Sequence, residues 1–167
     1  MEIAIDSCSI ILLAKASVLE KVLDSYNLLV TTEVYSEVIK GKEKMFKDAL
    51  LIEKLKKEDK ITLVNTDVKI KKKIIQDFNM GEGESSVVAL GIKNSNIVAT
   101  DNRQGRKAAE INNVQLLGSI EIIVSLLKQG KINHEKASEA LKILKEEGWF
   151  DNNLIEKAME DVKNGRS

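Results

Sequence analysis

Short apolar runs alternate along the chain with longer segments in which apolar residues recur at helical spacing. Five runs have the length of buried strands: residues 3–5, 28–30, 61–64, 97–99 and 114–117. Apolar runs this short, bounded by polar turn residues, are typical of strands that are buried on both faces of a sheet. The pattern therefore predicts five short strands.

The segments between and after these runs have helical periodicity. We predict helices at residues 10–14, 32–40, 44–57, 67–78, 81–90 and around 108–109, and three more at 119–128, 135–146 and 153–163. Regular alternation of strands and helices implies a parallel sheet covered by helices on both faces. The predicted fold class is therefore α/β, a three-layer α/β/α arrangement with a central parallel sheet and additional C-terminal helices.

The length of 167 residues fits a single domain. The sequence contains no long linker, internal repeat or low-complexity tract. We predict one domain over residues 1–167, with a core over about 1–118 and a helical extension over about 119–167 that packs on the same core.

Composition and charge exclude several classes of protein. Hydrophobic residues make up 43% and charged residues 31%, as in globular proteins, and the formal net charge is zero. Binding to nucleic acid through the overall field is therefore not expected, although a locally held nucleic acid is compatible with this balance. Cys8 is the only cysteine, and neither a membrane span nor a signal peptide is evident, so a cytoplasmic location is expected.

Two aspartates, Asp6 and Asp101, each follow a predicted buried strand directly. The carboxyl ends of parallel strands line the ligand crevice of an open sheet, so these side chains would face each other if their strands are neighbours. The alternative is that both simply cap helices, because Asp is common in such turns.

Further carboxylates lie on two predicted helices. Glu84 shares a helix face with the apolar residues three and four positions on, so it needs a cation or hydrogen-bond donors, whereas Glu82 is expected to face solvent or the helix N-terminus. Glu33 and Glu37 lie four residues apart on one helix face, and periodicity alone does not choose between them.

Converging carboxylates repel one another unless a cation lies between them. Oxygen ligands favour Mg²⁺ or Mn²⁺, whereas zinc would favour His or Cys. Such an ion activates water and stabilises the charge that builds on a phosphate. Ser7 and Ser9 could add hydrogen bonds to a substrate, and Arg103 and Arg106 could bind its phosphate.

Three other features have simpler interpretations. The lysine run at 69–73 could hold an RNA backbone, but a solvated helix face is the favoured interpretation. His134 is expected to be a surface residue near a helix start. Trp149 and Phe150 are expected to anchor the C-terminal extension on the core rather than to stack on bases.

Four motifs, in order, resemble those of the PIN-domain family of metal-dependent ribonucleases, the fold of VapC-type toxins. They are IDSCSIILLAK at 5–15, VYSEV at 34–38, GESSVVAL at 83–90, and TDNR at 100–103 followed by RKAA at 106–109. The C-terminal extension, notably LGS at 117–119 and EGWF at 147–150, is similar to that of a prokaryotic subgroup with extra helices.

The resemblance implies a catalytic and metal-binding set of Asp6, Glu37, Glu84 and Asp101, and so selects Glu37 over Glu33. It also implies an RNA substrate, a VapB-like antitoxin and a homodimer. Asn102 departs from the pattern, because many relatives carry a second Asp there that could be an extra ligand. Cys8 departs as well, since Ser or Asn is usual at that position.

Two alternatives to a metal-dependent endoribonuclease stay open at this point. A non-catalytic RNA-binding or assembly protein with the same fold is compatible with the Asn102 departure. A phospho-receiver is disfavoured, because its acceptor Asp would follow a later strand and a distal Lys would be required.

Overall fold

The computed structural model describes residues 1–41 and 45–165. Its sheet has five strands: β1 (Glu2–Ile5), β2 (Asn27–Thr31), β3 (Thr62–Val64), β4 (Ile97–Ala99) and β5 (Leu116–Leu117). All adjacent strands are parallel, in the order β3-β2-β1-β4-β5. Three consecutive residues of the central strand β1 pair with β2, and three pair with β4.

Helices connect the strands and continue beyond the last one. They are α1 (Ser7–Lys15), α2 (Leu19–Leu23), α3 (Thr32–Ile39), α4 (Lys47–Lys57), α5 (Val68–Phe78), α6 (Glu82–Asn94), α7 (Arg103–Ile111), α8 (Ser119–Lys128), α9 (His134–Glu147) and α10 (Asn152–Lys163). The predicted helix at 44–57 begins three residues later, at Lys47, and residue 44 lies outside the described residues. The short helix α2 was not predicted.

The direction of the crossovers places helices on both faces of the sheet. The chain moves one way from β1 to β3 and the other way from β4 to β5, and right-handed crossovers then lie on opposite faces. On one face α6 packs against β1, β2 and β4, with α5 and α7 beside it. On the other, α1 contacts α8 and α9. The predicted three-layer α/β/α class is confirmed.

Aliphatic side chains fill the interior. Ile3, Ile5 and Leu28 of the sheet are fully buried, and they belong to the same apolar cluster as Leu141 of α9 and Ile155 of α10. The C-terminal helices therefore share the core of the sheet, while the single-domain assignment with a boundary near residue 118 stays a prediction. Across the described residues, every helix is too short or too polar to cross a membrane.

Candidate active site

Asp6 and Asp101 lie at the carboxyl edge of the sheet, where neighbouring strands end. Asp6 follows β1, and its backbone N–H donates to the carbonyl of Ala99 in β4 at 3.1 Å. The crossovers leave this pair of strands in opposite directions, because β1 leads to β2 and β4 leads to β5. Ligands of open parallel sheets bind in the crevice at such a reversal. Because β1 and β4 are neighbours, the condition for the two aspartates to face each other is met.

Asp6 is buried, with 1% of its surface exposed. Its Oδ1 accepts a hydrogen bond from the backbone N–H of Ser9 at 2.7 Å and so caps α1. Its Oδ2 accepts from the hydroxyl of Thr100 at 2.5 Å. The helix-cap alternative is therefore correct for Asp6, but each carboxylate oxygen keeps capacity to accept from a second partner in the crevice.

Asp101 does not cap the helix that follows it. Asn102 does so, since its side-chain oxygen accepts from two backbone N–H groups of α7. Asp101 instead accepts hydrogen bonds from the hydroxyls of Ser9 and Ser119 at 3.0 and 2.5 Å, and from the Ser119 N–H at 2.9 Å. Ser9 therefore hydrogen-bonds both aspartates and holds them side by side.

Sequence reasoning missed Ser119 as a site residue. The signal was present, because a Gly-Ser pair follows the fifth strand just as Asp6 and Asp101 follow theirs. Gly118 permits the close approach: a Cβ at this position would lie 3.0 Å from Oδ1 of Asp101 and 3.0 Å from Nη1 of Arg106. Three strand ends thus contribute to the same crevice.

Glu84 lies in the first turn of α6 and is partly buried. Its charge, with those of Asp6 and Asp101, acts on the thiol of Cys8, which lies beside the site. Partial desolvation of the thiol and these three negative charges raise the pKa of Cys8 to about 11. Cys8 is exposed but stays protonated at neutral pH, which disfavours a nucleophilic role for it.

Glu37 is exposed and contacts the start of the same helix. Its Oε1 accepts a hydrogen bond from the backbone N–H of Gly83 at 3.1 Å. A Cβ on Gly83 would lie 2.5 Å from both carboxylate oxygens of Glu37, so only glycine leaves room for this contact. The contact places Glu37 next to the residue that precedes Glu84.

Lys71 of α5 forms ion pairs with Glu33 and Glu82, the acidic neighbours of Glu37 and Glu84 in the sequence. Its Nζ lies 2.6 Å from a carboxylate oxygen of Glu33 and 2.7 Å from one of Glu82. In the part of the chain that the structure describes, no ion pair involves Glu37 or Glu84. The lysine-run prediction is therefore wrong for Lys71, because this side chain is largely buried and joins three helices.

The four predicted substrate contacts occupy different positions. Ser9 is buried between the aspartates, and Ser7 begins α1 and is partly buried. Arg106 donates to the Thr100 carbonyl at 3.4 Å and lies 3.6 Å from a carboxylate oxygen of Glu121. Arg103 is exposed at the start of α7.

Of the two aromatic residues in the C-terminal extension, Trp149 and Phe150, only Phe150 packs on the core as predicted. Trp149 is fully exposed and anchors nothing. His134 is at the surface at the start of α9, as predicted, and its Nδ1 lies 2.9 Å from the Val162 carbonyl oxygen.

Burial dominates the electrostatics of Asp6. It raises the pKa of this carboxyl from 3.8 to about 6, even though hydrogen bonds from Thr100 and Ser9 act in the opposite direction. The charge of Asp101 adds a smaller rise to the pKa. An ionised carboxylate in this position is therefore disfavoured unless a cation accompanies it.

The donor set fits a hard divalent cation in its chemistry, since the candidate ligands are carboxylate and hydroxyl oxygens. Over residues 1–41 and 45–165, no three His, Cys, Asp or Glu side chains are already close enough together to enclose an ion. Asp6 and Asp101 form the fixed part of the candidate centre, and the longer Glu37 and Glu84 side chains border it.

A family model described as a PIN domain matches residues 2–164. The chain belongs to the PIN-domain family. No curated protein sequence is significantly similar to this PIN domain. Among solved structures, it is similar to PAE2754 from Pyrobaculum aerophilum, with a TM-score of 0.55 and 13% identity, over 77% of this chain and 91% of that one. At this identity the likeness shows the fold. PIN domains are generally nucleases that use divalent metals, so this chain has a nuclease fold.

Proposed function

We propose that this PIN domain is a metal-dependent endoribonuclease that hydrolyses the phosphodiester bonds of RNA. The observation that supports the proposal best is the pair Asp6 and Asp101, held together by Ser9 at the reversal between β1 and β4. Two carboxylates do not occupy one crevice without compensation, and burial already raises the pKa of Asp6 to about 6. A divalent cation supplies that compensation.

Asp6, Asp101, Glu84 and Glu37 would hold one or two Mg²⁺ or Mn²⁺ ions. When bound, the ion would supply an activated water and neutralise the charge that builds on the phosphate. Ser9 and Ser119 orient the aspartates through the hydrogen bonds described above. Glu37, held by the N–H of Gly83, would contact the ion through water.

The remaining polar groups would act on the RNA. Arg106, fixed beside Asp101 by the Thr100 carbonyl, would contact the phosphate, and Arg103 would bind the strand at the surface. Ser7, at the first turn of α1, would donate a hydrogen bond to the substrate. These contacts would position the scissile bond at the aspartate pair.

The test is cleavage of a mixed RNA pool in Mn²⁺, Mg²⁺ or EDTA, with Asp6→Asn and Asp101→Asn as site variants. We expect cleavage in either metal, none in EDTA, and a loss of at least about a hundredfold in each variant. Asp24→Asn is the matched control, because Asp24 is exposed and its one ion pair among the described residues is with Lys21 at 3.5 Å. Full activity in Asp6→Asn would refute the site assignment.

The second candidate function is a non-catalytic RNA-binding or assembly protein. Asn102 favours it, because an amide oxygen committed to capping α7 replaces a carboxylate that could serve as an extra metal ligand. RNA binding without cleavage in any metal would support this candidate. An Asn102→Asp variant tests whether the missing carboxylate is what prevents cleavage. Asp caps helices as well as Asn does, so the variant would supply the carboxylate and keep the cap of α7.

The same proposal extends to partners. A toxin of a toxin–antitoxin pair would be bound by a VapB-like antitoxin that covers the crevice, and it would act as a homodimer on cytoplasmic RNA. Mass measurement by light scattering tests the dimer. Inhibition of cleavage on addition of a purified candidate antitoxin tests the complex.

A further inference from the structure

A groove of about 560 Å³ leads away from Asp101 across the surface, and the proposed chemistry uses only its first part. One wall is the face of α7 that carries Arg103, Arg106 and Lys107, and the opposite end is formed by Trp149 and Leu154. A catalytic acid, a row of cations and an exposed indole therefore border one continuous space.

We propose that this groove binds single-stranded RNA next to the cleaved bond, with the sugar–phosphate backbone on α7 and a base stacked on Trp149. The inference rests on the proposed function for the identity of the polymer. Stacking on aromatic side chains combined with a cationic groove is the usual way in which proteins hold single strands.

The backbone on either side of Trp149 is closely packed, while the indole itself is exposed. Phe150 packs on the core, and its ring lies so close to Gly148 that a Cβ there would be 2.8 Å from the ring atom Cδ2. Trp149, between these two anchored residues, is fully exposed. A solvent-exposed indole presents a flat apolar face for stacking.

The cations of the groove all lie on α7, whereas its acids come from several elements. Glu121 lies against Arg106, and Asp151 caps α10 by accepting from two backbone N–H groups. In the described part of the chain, Arg103 and Lys107 have no ion-pair partner, and Asp101, Glu110 and Asp151 line the same groove without one. The two free cations project from an exposed helix face, where a phosphate backbone can reach them.

Trp149 is the only tryptophan, so its fluorescence reports on this groove alone. In EDTA, where cleavage is blocked, a short single-stranded RNA should quench the emission saturably, and the same sequence in a duplex should quench it far less. By anisotropy of labelled RNA, Trp149→Ala should weaken binding by about five- to a hundredfold, and Trp149→Phe should restore part of the loss.

Two control variants separate this surface from general effects. Phe46→Ala removes another exposed aromatic that lies outside the groove, and Lys72→Ala removes an exposed cation of α5. Both should bind RNA as the unaltered protein does. Arg103→Ala should weaken binding and lower the salt dependence of the affinity by about 0.7 in the log–log slope.

The outcomes distinguish this inference from the proposed function. Quenching without cleavage in any metal would support the groove and refute the ribonuclease. Metal-dependent cleavage with unchanged RNA affinity in Trp149→Ala would refute RNA binding in this groove and would leave the proposed ribonuclease activity standing. An emission spectrum that shifts to the blue with protein concentration, with a lower mass for Trp149→Ala, would identify a dimer interface and also refute the groove.

Discussion

Asp6 is both a structural and a chemical residue, since it caps α1, accepts from Thr100 and faces Asp101 across the crevice. Such a side chain is positioned by groups that also keep it out of water. The result is a carboxyl whose pKa of about 6 exceeds its ordinary value of 3.8. Stability and metal affinity are therefore opposed at this one residue.

The raised pKa of Asp6 is one contribution to the pH dependence of the stability of the metal-free protein. Because the folded-state pKa is the higher one, ionisation destabilises the fold progressively as pH rises from about 4 through 6, by about 3 kcal/mol in total. Asp6→Asn removes this ionisation but weakens the bond with Thr100. We expect it to raise the free energy of unfolding of the metal-free protein by about 1–3 kcal/mol at pH 8, and to have no such effect at pH 4.

Urea unfolding at the two pH values, in EDTA, measures this difference. Asp24→Asn, an exposed change, should alter stability at neither pH. A destabilised Asp6→Asn at pH 8 would contradict the raised pKa.

At the scale of the elements, helix N-termini surround the crevice, because parallel strands deliver each following helix to the same edge. α1, α6, α7 and α8 all begin there, with Asp6, Glu84, Asn102 and Ser119 in or next to their first turns. The positive ends of these helices favour carboxylates and phosphates alike. Which face each helix presents is then fixed by close contacts such as that between Gly83 and Glu37.

Gly83→Ala tests how α6 positions Glu37. The added methyl group would overlap both carboxylate oxygens of Glu37, while the helix itself tolerates or prefers alanine. We expect RNA cleavage to fall by at least about tenfold, with a melting temperature close to that of the unaltered protein. Gly81→Ala is the matched control, because nothing lies within 4 Å of a Cβ there. Equal activity in the two variants would exclude Glu37 as a ligand.

Lys71 joins α5 to α3 and α6 through its contacts with Glu33 and Glu82. Lys71→Ala leaves Glu33 partly buried without its cation, so we expect a loss of about 1–2 kcal/mol of unfolding free energy. Lys72→Ala, on the exposed face of the same helix, should be neutral. Thermal unfolding measures both variants, and equal melting temperatures would show that the Lys71 pairs contribute no stability.

At the scale of the whole molecule, the sequence predicted the sheet and its aspartates well because both depend on local order. A buried apolar run followed by Asp can be recognised in the sequence before residues 6 and 101. In a parallel sheet, the carboxyl ends of the strands lie at the same edge, so the two aspartates come together there. Lys71 and Trp149 could not be predicted in this way. Their roles depend on which helix faces meet, and helical periodicity alone does not specify a partner.

Metal binding should stabilise the whole fold, because the candidate ligands come from α3, α6 and the ends of β1 and β4. Millimolar Mn²⁺ should raise the melting temperature, and an ion at a hundred times its dissociation constant adds about 2.7 kcal/mol. Asp6→Asn and Asp101→Asn should reduce the shift, whereas Asp24→Asn should keep it. Differential scanning calorimetry with and without Mn²⁺ decides the point, and no shift would count against metal binding at these carboxylates.

The bond between Ser9 and Asp101 joins residues that are 92 positions apart in the chain. During synthesis, the first aspartate leaves the ribosome long before the second, and Ser119 follows later still. A chain released or stalled before this point lacks half of the crevice, whatever its N-terminal strands have formed. The proposed ribonuclease would thus stay inactive during synthesis until the chain had been extended past Ser119.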